Sequence, residues 1–192
     1  MSGRREGLTA VVLAAGGSTR LGRPKQLALL QGERLLDRAV RVAREAGCVP
    51  LVVLGASAEE VQGACNLDDC RIVFNAAWQA GMAGSLKSGI EAAQAQGASA
   101  VLVMTCDQPA VTAEHLRRLA AGGDHAVASG YAGRGGVPAY FPASCFAALT
   151  TLQGDEGARH LLGQARRIDL PLGELDVDTE DKLRLAQELF GA

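Results

Sequence analysis

The chain is 192 residues long, 48% hydrophobic and 21% charged, with a formal net charge of −2. That make-up belongs to one globular domain able to bury a core without cross-links. It excludes a bulk nucleic-acid binder, which needs a broad basic face, and no apolar run approaches a membrane span. Residues 1–7 carry no apolar signal-peptide core. Cys48, Cys65, Cys70, Cys106 and Cys145 form no C-x-x-C pair, and no zinc-ligand spacing with the three histidines. The expectation is a cytoplasmic protein whose cysteines, Cys106 included, pack as small buried hydrophobes.

In chain order, apolar β-type runs fall at 8–13, 49–54, 71–74, 100–104 and 125–129. Between them lie helical stripes: Leu36, Ala39, Val40, Val42 and Ala43 ending at Gly47, then Leu86, Ile90 and Ala93 ending at Gly97. Continuous apolar strands indicate burial on both faces. Strands alternating with helices predict an α/β domain of three layers, α/β/α, with a mostly parallel central sheet and a ligand crevice at the strands' carboxyl ends. The run 130–136 is too glycine-rich for a regular element and precedes a candidate edge strand or β-arm at 137–141. A small excursion is therefore expected around 130–142. The tail from 178 or 179 to 190 reads as a closing helix, capped by Asp178 or Thr179 with acids in its first turn.

The first strand runs into Leu13-Ala14-Ala15-Gly16-Gly17-Ser18-Thr19-Arg20-Leu21-Gly22-Arg23-Pro24-Lys25. Small residues at 14–18 let backbone N–H groups approach a phosphate closely. Arg20, Arg23 and Lys25 add three cations, and no acid lies between Gly7 and Gly32 to neutralise them. The competing account is a glycine-rich turn with solvated basic residues. The P-loop is excluded because Gly22 is followed by Arg23-Pro24 rather than Lys and Ser or Thr. The dinucleotide fingerprint is excluded because Pro24 keeps Arg23 extended, so the loop cannot run straight into a helix. A polyanionic small molecule, a nucleoside triphosphate first, is the expected ligand.

Among the acids, Asp107 follows the run 100–104 at the carboxyl end of a central strand, where a ligand crevice lies. Magnesium on a triphosphate needs one or two such carboxylates; the alternative for Asp107 is a helix cap. Asp176 and Asp178 would share one side of an extended segment, and five acids within 174–181 also suit a solvated helix start. Asn75 and Ser85 lie where a strand enters a helix, with capping as the alternative for Ser85 and core packing for Trp78.

The order L-A-A-G-x-S-x-R-x-G-x-x-K, continued by Pro24-Lys25-Gln26-Leu27, resembles the signature loop of the MobA-like nucleotidyltransferases, in particular the molybdenum cofactor cytidylyltransferases. The resemblance spans 7–190 and implies a single domain of the nucleotide-diphospho-sugar transferase kind. It puts Leu13, Ala14, Ala15, Gly16, Gly17, Ser18, Arg20, Lys25, Asn75 and Ser85 on the nucleotide, and Arg20, Lys25 and Asp107 in catalysis. Ala15 stands where the guanylyltransferases have glycine, which favours CTP. Thr105-Cys106-Asp107-Gln108-Pro109 resembles the family's D-x-P metal segment, which makes Asp107 the first choice for a Mg2+ ligand. The tail D-x-D-T-x-E-D resembles the closing motif D-I-D-T-P-E-D, with Glu180 in place of proline. This implies Asp178 as second metal ligand, Asp176 close behind, and one of the two capping the helix.

Gly135-Gly136-Val137-Pro138 and Gly154-Asp155-Glu156-Gly157-Ala158-Arg159 are similar to the family's second-substrate segments, with Val137 in place of the usual histidine. They put Gly136, Pro138, Gly154, Asp155, Gly157 and Arg159 on the acceptor. The implied reaction is magnesium-dependent transfer of CMP from CTP to a phosphorylated pterin cofactor, molybdopterin, with release of pyrophosphate and a molybdoenzyme apoprotein as a further partner. Neither nucleic acid nor membrane is expected. Alternatives are another small-phosphate cytidylyltransferase such as that for methylerythritol phosphate, a nicotinamide-dependent oxidoreductase on the same fold, and a non-catalytic cofactor carrier.

Overall fold

The computed structural model describes residues 8–154 and 158–190, the side chains of 159 and 160 excepted. Its first half runs β1 (Thr9–Ala14), β2 (Leu29–Leu30), β3 (Glu33–Arg34), α1 (Leu35–Glu45), β4 (Val49–Leu54), α2 (Ala58–Ala64), β5 (Arg71–Phe74) and α3 (Met82–Ala95). Then follow β6 (Ala100–Thr105), α4 (Ala113–Ala120), β7 (Val127–Tyr131), β8 (Arg134–Pro142), α5 (Phe146–Thr150), α6 (Arg159–Leu162), β9 (Arg166–Asp169) and α7 (Glu180–Phe190). Seven strands form one sheet in the order β5-β4-β1-β6-β8-β7-β9, and β2 pairs with β3. β5, β4, β1 and β6 are mutually parallel, β8 runs against β6 and β7, and β9 is parallel to β7.

The doubly buried strands follow from two cores, one on each face of the sheet. Ala10, Val12 and Ala14 of β1 join Leu36 and Val40 of α1 and Leu116 and Leu119 of α4. Val11 and Leu13 join Leu86 and Ile90 of α3 and Phe146 and Leu149 of α5. Alternate side chains of one strand thus enter opposite layers, and the apolar run cannot alternate with polar residues. Gly89 brings α3 against the sheet, because a Cβ there would lie 2.5 Å from Val11 Cγ1.

In the second half one of two alternatives drops out and one expectation fails. The segment 137–141 is not an edge strand: Ala139 to Pro142 pair with β6, and Ala139 and Tyr140 also with β7. The glycine-rich run 130–136 is regular, as the tip of the β7–β8 hairpin with Tyr131 opposite Arg134. Ala132 and Gly133 turn it with φ of 48° and 74°, the paired positive φ values of a tight two-residue hairpin loop. The tip reaches beyond the last β6 pairing, Val103 with Ala139, so the expected β-arm is present. The edge strand on this side of the sheet is β9, whose Arg-Arg-Ile-Asp sequence carries no apolar signal.

Thr179 Oγ1 accepts from Lys182 N at 3.3 Å and caps α7. Of the two expected caps, Asp178 or Thr179, the threonine serves, so the aspartate cap implied by the family resemblance is not used and both aspartates are left to other partners. All five cysteines are free, and Cys48, Cys65 and Cys106 are buried. Burial, reinforced by the Asp107 carboxylate, pushes the Cys106 thiol up to about 12, which fits a packing role. No helix among the described residues is long and apolar enough to cross a membrane.

Candidate active site

The loop after β1 is shaped from within. Gln26 is fully buried and donates its amide to Ala14 O at 2.6 Å and Gly16 O at 3.2 Å. Ser18 adopts the left-handed region at φ 52°, and its Oγ accepts from Lys25 N at 3.0 Å. From the other side Ala56 N donates to Ala15 O at 3.0 Å. Trp78 closes the wall: a Cβ on Gly17 would lie 2.9 Å from its ring, and one on Gly55 2.6 Å from its Cβ. Leu13, Ala14 and Ala15 are buried, Gly16, Gly17 and Arg20 exposed, and Ser18 half-buried. Small residues are needed here for the loop's own packing as well as for a ligand's approach.

The three loop cations are not uncompensated, as their local sequence suggests. Arg20 pairs with Asp178 at 2.7 Å, Arg23 with Glu180 at 2.9 Å and Lys25 with Asp107 at 2.5 Å. Each partner is distant in sequence and reaches the loop only because α7 and the end of β6 lie against it. A backbone bond from Val177 N to Asp107 O, 2.8 Å, ties the two acidic segments together. Lys182 completes the cluster at 2.5 Å from Asp176 and 3.1 Å from Asp178. The structure thus brings together Arg20, Lys25, Asp107, Asp176 and Asp178, and adds Glu180 and Lys182, which are not among the expected site residues.

Asp107 and Asp178 are buried and Asp176 half-buried. Burial alone would lower the Lys25 pKa, yet the Asp107 carboxylate outweighs it and holds Lys25 above the ordinary lysine value. Burial would raise Asp176, but the hydrogen bond and charge of Lys182 take it below the usual carboxylate range. Among the described residues no three His, Cys, Asp or Glu side chains converge as a ready ligand group. Carboxylates from two segments, each supplying oxygen ligands, suit a hard divalent cation that arrives on a triphosphate.

Asn75 and Ser85 are engaged with each other. Asn75 Nδ2 donates to Ser85 Oγ at 3.0 Å, both residues are buried, and Asn75 Oδ1 accepts from Ala77 N at 3.1 Å. They form a clasp between the end of β5 and α3. In the acceptor segments Pro138 is buried, and Gly136 lies under the Tyr131 ring. Gly154 O accepts from Ala83 N at 3.0 Å, which sets that turn on the start of α3. Asp155 and Gly157 lie outside the described residues, as does the Arg159 side chain. Gln108, unmarked in the sequence, is a hub: its Nε2 donates to Gly173 O at 2.9 Å and Val137 O at 3.1 Å, and its Oε1 accepts from Thr105 Oγ1 at 3.2 Å.

The family model described as the MobA-like NTP transferase domain matches residues 10–168. The chain is 34% identical over 195 residues to the nicotine blue oxidoreductase of Paenarthrobacter nicotinovorans, covering 92% of this chain and 94% of that protein. It is 35% identical over 150 residues to a probable molybdenum cofactor guanylyltransferase of Opitutus terrae, covering 77% and 72%. The crystal structure of Rv0371c from Mycobacterium tuberculosis in complex with manganese superposes with a TM-score of 0.79 at 32% identity, covering 95% of this chain and 98% of that one. The chain belongs to the MobA-like NTP transferase family, as one of its nucleotidyltransferases.

Proposed function

We propose that the protein transfers CMP from CTP to a phosphorylated acceptor, the pterin of the molybdenum cofactor, in the presence of Mg2+. The observation that carries this reading is the Lys25–Asp107 pair beside the glycine loop, with Arg20 alongside on Asp178. A phosphate oxygen of the acceptor is already an anion at neutral pH and attacks the α-phosphorus of CTP. The bond to the β-phosphate oxygen breaks and pyrophosphate leaves. The residues named here supply no general base, and the step needs none. Alignment and charge neutralisation supply the rate. Arg20 and Lys25 exchange their carboxylates for the triphosphate, and Lys25 neutralises charge on the departing pyrophosphate. Asp107, with Asp178 or Asp176, would hold Mg2+, which supplies charge neutralisation at the phosphates when bound. Ala15 supports a pyrimidine base, and a molybdoenzyme apoprotein would be the recipient of the product.

Calorimetry of the four nucleoside triphosphates with Mg2+ tests the first half, followed by mass spectrometry of the product formed with molybdopterin. Saturable CTP uptake and a CMP–pterin product are expected. Uptake of none of the four overturns the reading, and preference for GTP overturns the choice of base. The name of the Paenarthrobacter relative supports a second reading, an oxidoreductase. Oxidation of NADPH without any triphosphate would favour it over nucleotidyl transfer. Methylerythritol phosphate as a better acceptor than the pterin would make the protein a cytidylyltransferase of that sugar phosphate. Pterin binding without pyrophosphate release would make it a non-catalytic carrier of the cofactor.

A further inference from the structure

We infer that Tyr131 and Arg134, at the tip of the β7–β8 hairpin, form the binding site for the acceptor and select a planar heterocycle that carries a phosphate. The inference rests on the proposed transfer reaction and names what holds its second substrate. Two of the six residues expected to do so, Gly136 and Pro138, are spent inside the hairpin: Pro138 is buried, and a Cβ at Gly136 would overlap the Tyr131 phenol. A Cβ on Gly173 would lie 2.6 Å from Tyr131 Cδ1, so two glycines from separate segments make the seat in which this ring lies. The phenol donates to Val137 O at 2.9 Å and sits 3.4 Å from Gln108 Nε2. Gln108 directly follows Asp107, so the ring is fixed to the same strand end as the metal-site carboxylate. Burial raises the phenol's pKa, against the Gln108 hydrogen bond and the Arg134 charge.

Arg134 stands 5.9 Å from the ring centroid in a cation–π arrangement and is exposed. Arg20, Lys25 and Lys182 all have carboxylate partners, whereas Arg134 has no ion pair among the described residues. A guanidinium beside an aromatic ring can take a phosphate in bidentate fashion while the ring offers a planar surface for a fused heterocycle. A sugar phosphate would use the cation alone, so ring and charge together set the substrate class.

The test is fluorescence titration with 6-hydroxymethylpterin monophosphate, compared with unphosphorylated 6-hydroxymethylpterin and, by competition, ribose 5-phosphate. The pterin phosphate should bind at least tenfold more tightly than either partial mimic. Arg134→Ala should weaken it about tenfold and erase its advantage over the unphosphorylated pterin. Tyr131→Leu should erase its advantage over ribose 5-phosphate, and Arg134→Lys should recover part of the affinity. Arg134→Ala changes a surface residue, so the site can be tested even if Tyr131→Leu fails to fold. CTP titrated in parallel separates the two claims. Saturable CTP uptake with pterin phosphate binding that is absent, or unchanged in Arg134→Ala, overturns this site and leaves the nucleotide reading standing.

Discussion

At Lys25 burial favours the neutral amine and the carboxylate 2.5 Å away favours the ammonium; the second effect wins. A lysine whose folded pKa is raised contributes its stability fully below the unfolded value of 10.5 and loses it only as pH rises through the folded one. Lys25 therefore does not titrate at neutral pH. Lys25→Ala should lower the rate of pyrophosphate release about a hundredfold, roughly 3 kcal/mol of barrier on the scale of one preorganised charge partner. The deficit should be flat between about pH 7 and about pH 9, given an ordinary lysine value near 10.4. Asp107→Asn keeps the shape, removes the countercharge and should fall by a similar factor; turnover equal to the native enzyme would refute the metal-site assignment.

Among the elements, α3 and α2 offer opposite tests of the same substitution. Alanine in place of glycine within a helix gains up to about 1 kcal/mol. At Gly89 the added Cβ meets Val11 Cγ1 at 2.5 Å and Val53 Cγ2 at 3.1 Å, in a core already full. Overpacking of that kind costs about 1–3 kcal/mol, so Gly89→Ala should lower the melting temperature. Gly63 in α2 has nothing within 4 Å, and Gly63→Ala should raise it.

The link between α4 and β7 gives an acid-sensitive test. Ser129 Oγ donates to Pro138 O at 2.5 Å and so accepts from His115 Nε2 at 2.8 Å. Burial, then the Arg118 charge, pulls His115 below 6.5. The folded state then binds fewer protons than the unfolded one. Stability should be full above pH 6.5 and decline as pH falls through the lower folded value. Urea midpoints at a series of pH values should show that decline in the native protein and a flatter curve in His115→Gln.

Across the whole molecule, a short segment near the carboxyl terminus completes a loop built near the amino terminus. Asp178 and Glu180 hold Arg20 and Arg23, and Val177 is bonded to the backbone of Asp107. Arg20 is 70% exposed at its side chain, and Arg23 and Glu180 are about half exposed, so these pairs order the loop more than they stabilise the fold. Asp178→Ala should accelerate trypsin cleavage after Arg20 severalfold while shifting the melting temperature by only a few degrees, and should raise the KM for CTP. Bound CTP with Mg2+ should protect the same bond in the native protein. Unchanged cleavage would show that the acids do not order the loop.

Local order is legible wherever one segment carries its own physical reason. The doubly buried strands, the helix stripes and the glycine loop are written in runs of neighbouring residues, and so is the strand-end position of Asp107. Long-range partnership has no such signature. Arg20, Arg23 and Lys25 look unneutralised along the chain, and their acids are 82 to 158 positions away. Nothing along the chain shows that the Asn75 and Ser85 side chains bond to each other, or that Tyr131 fills the space against Gly136. The hairpin is hidden in the sequence because glycine count reports backbone freedom, whereas strand pairing depends on which neighbours the sheet supplies. Propensity and burial pattern act over a few residues and survive in one dimension; charge pairing, close approach and strand order depend on distances that exist only once the chain has folded.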